Sequence, residues 1–218
     1  MIILFQQDLS FAGLMKEGRE IRHTCPKDAV EIFKQAAKST NCPNCTVSAL
    51  IEAGITYRQL KIYKDAENSL IEAESVLTPK RSDLMALVRM ELGRVFLDAN
   101  CSKDKAYKYL LDSHSIFVEL EYNIYSAISK CLLGQVQHLM KFDPEGRYTI
   151  RGSYHMIKGL NDNDELKILL WYMRTSNRAK IKYLPRAIKL AIKTKSNCFR
   201  PLTITVLGHK VEKKIFNY

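Results

Sequence analysis

The feature that most constrains this chain is that it repeats itself. Glycines at 18, 54, 93 and 134, continued by Thr175 and Gly208, fall at intervals of 36, 39, 41, 41 and 33 residues. Behind these anchors small and bulky residues return at nearly fixed distances. Gly18 is followed by Ala29, Phe33 and Ala36, Gly54 by Ala66, Leu70 and Ala73, and Gly93 by Ala106, Leu110 and Ser113. Gly134 is followed by Gly146, Ile150 and Ser153, and Thr175 by Ala187. The windows between are rich in Ala, Leu, Glu, Lys and Ile with helical periodicity. A glycine inside a helix costs about 1 kcal/mol against alanine, so its recurrence there asks for a packing reason. Without a Cβ, one helix of a pair can approach the other closely. Self-similarity of this period over most of a chain means stacked helical hairpins, each burying its apolar face on the next.

The stretch "ALIEAGITYRQLKIYKDAENSLIEAESVLTP", residues 49–79, carries the pattern most fully. It resembles the tetratricopeptide motif, in which Leu-Gly and an aromatic three residues on mark the first helix. An Ala, a bulky residue four further on and a closing Pro mark the second. Gly54 with Tyr57, then Ala66, Leu70 and Pro79, fill those places, and Tyr57 is expected to occupy the space between neighbouring hairpins. Leu92-Gly93 with Phe96, Leu133-Gly134, and Leu207-Gly208 with Val211 repeat the first half, while Trp171 precedes Thr175 by four residues. Intervals of 39 to 41 exceed the ~34 of the minimal motif. Long, degenerate repeats of this kind resemble those of SNAP-type vesicle-fusion adaptors and of the huntingtin-associated forty-kilodalton protein.

The resemblance implies an all-α fold: a right-handed α-solenoid of about five tetratricopeptide-like hairpins plus a C-terminal helix, with residues 1–218 as a single domain. Gly54, Gly93, Gly134 and Gly208 are its structural repeat positions. It also implies a non-catalytic scaffold or adaptor that docks on a larger protein. Candidate contacts on the concave surface lined by first helices are Tyr57, Arg58, Arg94, Gln137 and Trp171. A peptide-binding regulator of the bacterial signalling-receptor type is the alternative from the same superfamily. Such regulators usually carry an N-terminal DNA-binding module, for which residues 1–27 are too short. The carboxylate clamp of chaperone-tail domains is missing, since Ile55, Arg94 and Gln135 follow the three glycines.

Charge is distributed unevenly. Residues 174–218 hold twelve Lys or Arg against Glu212 alone, and so carry the whole formal charge of +11. Arg178, Lys182, Arg186, Lys189 and Lys193 are spaced as one helical stripe, although Pro185 is expected to split the run between two helices. A solvated face is the usual meaning of such a run. Twelve cations against one anion exceed what solubility needs, and their self-repulsion opposes the compact state. An acidic protein surface is therefore the expected counterpart. Nucleic acid or anionic lipid are alternatives, with nucleic acid disfavoured because only Tyr183 and Phe199 offer stacking faces among these cations. The end "GHKVEKKIFNY" is apolar at its tip, where a polar capping helix is normal.

Chemistry-bearing motifs are scarce. There is no HExxH, GxSxG, GxGxxG or P-loop signature, and no cofactor is expected. "NDNDE" at 161–165 reads as an inter-helix loop ending in an N-cap. No run approaches the ~20 apolar residues needed to span a bilayer, so a cytoplasmic or nuclear setting with reduced thiols is expected. His23, Cys25, Cys42 and Cys45 form H-x-C-x16-C-x2-C, soft enough for zinc. A second C-x2-C is lacking, however, and the thiols fall where one helix ends and another begins, so no metal is expected; a redox role would call for a strand-helix-strand context, which the sequence lacks. Cys131 sits in a helical window as a small core hydrophobe.

Overall fold

The computed structural model describes residues 10–77, 82–175 and 177–194, apart from the side chains of Asp143, Asn177 and Arg178. Among them are ten α-helices and no strand. They are α1 (Phe11–Ile21), α2 (Pro26–Lys38), α3 (Pro43–Gln59), α4 (Tyr63–Val76), α5 (Asp83–Ala99) and α6 (Lys103–Glu119). α7 (Asn123–Leu139), α8 (Asp143–Ile157), α9 (Asp162–Thr175) and α10 (Asn177–Thr194) follow. Consecutive helices pair as five hairpins. The chain divides into two compact units, Met1–Leu120 and Glu121–Tyr218, holding three and two of these hairpins.

Local chemistry sets the helix ends. Ser10, Ser82 and Ser102 each accept the N–H three residues on, from Gly13, Met85 and Lys105, which satisfies one orphan donor per helix. Proline occupies the first turn of α2, α3 and α8, where its missing N–H is harmless. The turns inside two hairpins are built alike. Lys61 and Lys141 take left-handed conformations with φ of 62° and 69°. In the first, Ile62 N–H donates to Tyr57 O at 2.9 Å and Lys61 N–H to Arg58 O at 3.0 Å. In the second, Phe142 N–H donates to Gln137 O at 3.0 Å and Lys141 N–H to His138 O at 3.1 Å. This pairing satisfies the last carbonyls of the first helix and reverses the chain.

Packing follows the repeat. Ala29, Phe33 and Ala36, Ala66, Leu70 and Ala73, Ala106 and Leu110, and Ile150 are all fully buried. A Cβ added at Gly18 would lie 2.6 Å from Phe33 Cε1, at Gly54 2.7 Å from Leu70 Cγ, and at Gly93 2.5 Å from Leu110 Cγ. At Gly134 it would lie 2.6 Å from Ile150 Cγ1. Four hairpins therefore share one lock: a first-helix glycine receives the bulky residue of the second helix. Ser113 Oγ ties α6 to α5 by donating to Ala86 O at 2.8 Å. The fifth hairpin is closed differently. Thr175 is the half-buried last residue of α9, and Leu166, Leu169 and Met173 pack with Ala187 and Leu190. Tyr154, Tyr172 and Tyr183 add ring contacts with centroids 5.3 to 6.3 Å apart.

Two expectations change. Pro185 does not split the basic run: α10 passes through it unbroken. Proline withdraws the N–H due to the carbonyl of Ile181, and both residues lie on the solvent side, where water can serve that carbonyl. Glu165 is no loop residue but stands in the first turn of α9, fully buried. Asn161 caps that helix, its Oδ1 accepting Asp164 N–H at 3.0 Å. Pro79, Gly208, Phe199 and the apolar C-terminal tip, with the expected closing helix, lie outside the described residues.

Candidate interaction surface

In the first unit the first helices are joined by a ladder of ion pairs. Glu52 on α3 binds Arg19 of α1, Nε to Oε1 at 2.8 Å, and Arg22 just after it. Glu91 on α5 binds Arg58 of α3 at 3.4 Å and Arg94 of its own helix at 2.6 Å. Arg58 also reaches Asp98 at 2.6 Å. Both glutamates stand two residues before a repeat glycine, and Arg22 and Arg58 four residues after the preceding one. The rungs are thus one interaction made twice. Glu91 is only 3% exposed, and such a carboxylate needs its cations close.

Most of the expected first-helix contacts are engaged within the protein. Tyr57 is buried, with Lys34 Nζ 5.3 Å from its ring centroid. The nearby Tyr57 side chain raises the Lys34 pKa, against the burial that lowers it. Tyr57 fills space between hairpins. Arg58 and Arg94 belong to the ladder. The Gln137 side chain is half-buried, and its Oε1 has no hydrogen-bond partner among the described residues. Trp171 stays partly exposed under the Arg174 guanidinium, 4.9 Å from the ring centroid. Its position makes it the most accessible of the five.

The basic stripe separates into two groups. Arg186 is bound to the buried Glu165, with Nε to Oε1 and Nη2 to Oε2 both 2.9 Å, and Gly159 N–H donates to the same carboxylate at 2.8 Å. Burial pushes the Glu165 carboxyl up, but the Arg186 hydrogen bonds, the Gly159 N–H and the guanidinium charge together hold it below its ordinary value. Lys193 pairs with Asp162. The acids of α9 therefore neutralise part of the excess that the sequence assigns to an external partner. Lys182 and Lys189 are exposed and make no ion pair among the described residues; Lys182 Nζ lies 5.3 Å from the Tyr183 ring centroid. The Arg178 side chain lies outside the description.

The outward side of α10 also carries apolar residues that the charge pattern hides. Ile181 is 81% exposed and Ile192 74%. Helical spacing sets them, with Pro185, beside Lys182 and Lys189 on one face, while Ala179, Ala187 and Leu190 are buried opposite. No signal in a charge count could find them. In the sequence Ile192 reads with Ala187, Ile188 and Ala191 as the apolar side of the helix, yet it is turned to solvent while Ala187 is buried.

His23, Cys25, Cys42 and Cys45 are not brought together as a metal site: no group of three or more His, Cys, Asp or Glu able to hold an ion occurs among the described residues. Cys25 and Cys42 are exposed N-caps of α2 and α3, Cys45 is half-buried, and Cys131 is buried in the core as expected. No described helix is long and apolar enough to cross a membrane.

No protein-family model matches the chain. No curated protein sequence matches it either. Solved structures do. A putative kinesin light chain of Podosopora anserina with nearly identical TPR-like repeats superposes with a TM-score of 0.61 at 14% identity, over 91% of this chain and 97% of its own. The fold is that of a tetratricopeptide-like helical repeat. The apo form of RapI aligns with a TM-score of 0.66 at 13% identity, over 85% of this chain and 69% of RapI. MamA aligns with a TM-score of 0.54 at 20% identity, over 82% of this chain and 96% of its own. At these identities the likeness concerns the fold.

Proposed function

We propose that this protein is a non-catalytic interaction scaffold that docks on a larger protein through the outward face of α10, and that the docked segment is acidic and amphipathic. The observation that carries the reading is the pairing on one face of Ile181 and Ile192 with Lys182 and Lys189. Large exposed apolar side chains beside unneutralised cations suit a partner that offers both apolar anchors and carboxylates. Nucleic acid would use the cations but leave the isoleucines in water. A tetratricopeptide-like fold supports the same reading by analogy alone. A cytoplasmic or nuclear site of action belongs to it.

The test compares capture from native lysate with and without nuclease, and binding to anionic vesicles, for wild type, K182E/K189E and I181S/I192S. All four side chains are exposed, so the melting temperatures should stay close to wild type. A stoichiometric protein held by wild type, released by salt, and lost in both variants is the expected result. Loss of all bound material on nuclease treatment would sink the reading in favour of nucleic acid. Binding to anionic vesicles with no protein captured would replace it with a membrane surface.

A further inference from the structure

Cys42 and Cys45 are the thiols of a C-P-N-C sequence that opens α3, with Cys42 at the N-cap and Cys45 three residues into the first turn. Side chains at these two places meet, as reciprocal capping pairs show. Residues one turn apart also fall within the Cα separation that a disulfide tolerates. Cys42 is exposed, Cys45 half-buried, and both are free thiols. Cys42 N–H donates to Thr40 Oγ1 at 3.1 Å, and the Thr46 hydroxyl donates to Cys42 O at 3.2 Å, which fixes the backbone around the first thiol. The protein supplies its own comparison. Cys25 also stands at a helix N-cap, that of α2, but the residue three places on is Asp28, a carboxylate in place of a second thiol.

We propose that Cys42 and Cys45 form a thiol–disulfide exchange site whose substrate is a small disulfide of the glutathione class, with Cys42 the attacking and Cys45 the resolving thiol. The two thiols are electrostatically unequal. The Cys45 thiol first, and then backbone N–H groups of the first turn, hold Cys42 below its ordinary pKa. Cys45 is pushed up, chiefly by its contact with Cys42. A thiolate at a helix N-terminus is the form favoured there. In the first step the Cys42 thiolate attacks one sulfur of the small disulfide. A mixed disulfide forms, and the other half leaves as a thiolate that takes a proton from water. In the second, Cys45 gives its proton to solvent base and attacks the Cys42 sulfur, expelling the second half. That half also leaves as a thiolate and takes a proton from water, so the two protein thiols have lost two protons and two electrons, and the small disulfide has become two thiols. The half-buried position of Cys45 suits it to the second step, which needs reach to Cys42 alone.

The experiment equilibrates the full chain in glutathione buffers of stepped ratio, quenches with acid, alkylates, and maps each cysteine by peptide mass. The expected result is a two-hydrogen loss confined to the peptide holding Cys42 and Cys45, fully reversed by excess reduced glutathione. C45S should instead accumulate glutathione on Cys42, and C42S should leave Cys45 largely unmodified. Serine is a good N-cap, so C42S should fold, and a circular dichroism melt checks both variants. Accumulation of mixed disulfides at Cys42 and Cys45 at the same buffer ratio as at Cys25 and Cys101, without the internal bond, would overturn the proposal. So would a disulfide that forms mainly between chains. Retention of zinc by wild type and its loss in C42S would also overturn it, in favour of a metal site.

Discussion

Arg186 holds the fully buried Glu165 carboxylate through two hydrogen bonds of 2.9 Å each. The pair ties the middle of α10 to the first turn of α9 and gives Arg186 a partner within the protein. E165Q keeps the shape and leaves the guanidinium without its anion. Breaking a fully buried pair costs roughly 3–5 kcal/mol. The Arg186 side chain is 34% exposed, so a loss of about 2–3 kcal/mol is expected by urea unfolding at neutral pH. The pH dependence has a definite sign. The folded carboxyl lies below its ordinary 4.5, so its contribution is complete above that value and disappears as pH falls through the folded pKa. The gap between wild type and E165Q should therefore be constant from pH 6 to 8 and narrow on acidification below about 4.5. A gap that widened in acid would contradict the assignment.

The ladder of the first unit makes a parallel claim. Glu91 faces two arginines, whereas the Lys16–Glu20 pair lies with side chains 78% and 65% exposed. E91Q should destabilise by about 2–4 kcal/mol, since it removes the buried anion that Arg58 and Arg94 share. E20Q should change stability by less than ~0.5 kcal/mol. Equal effects in thermal melts would show that the Glu91 cations are as well served by water.

Gly54 and Gly152 should respond oppositely to alanine. At Gly54 the added Cβ meets Leu70 Cγ at 2.7 Å, a fully buried group on the opposing helix. Overpacking costs roughly 1–3 kcal/mol, against about 1 kcal/mol gained in helix propensity. G54A should thus be destabilised by about 1 kcal/mol, and G54A/L70A should be less unstable than the sum of its single variants. At Gly152 the nearest atoms are the Lys130 side-chain tip at 3.4 Å, and G152A should gain about 0.5–1 kcal/mol. Chemical denaturation of the four proteins checks the set.

Lys61 turns the chain with a φ of 62°, a region costly for residues with a Cβ. K61G should raise stability by about 0.5–1 kcal/mol, the relief of strain exceeding the added freedom of the unfolded chain. A drop in melting temperature would mean that the Lys61 side chain does more for the turn than its backbone costs.

The sequence by itself determined the hairpins. A missing Cβ and a bulky residue 15 to 17 places later can be read directly, and Gly18–Phe33, Gly54–Leu70, Gly93–Leu110 and Gly134–Ile150 pair accordingly. Periodicity reports which side of a helix is apolar, and a hairpin lies within one stretch of chain. The ladder was half legible, since Glu52 and Glu91 hold the same place in successive repeats. The candidate surface was not. A charge count treats Arg186, Lys189 and Lys193 alike, yet two of them meet acids of α9, 21 and 31 residues away. Ile181 and Ile192 read as ordinary apolar helix positions until the burial of Ala187 and Leu190 fixes which side of α10 faces inward. Which cations are neutralised, and which apolar groups stay in water, depends on distances between helices. Those distances are set by tertiary packing, because Coulomb energy and buried area depend on separation in space rather than along the chain.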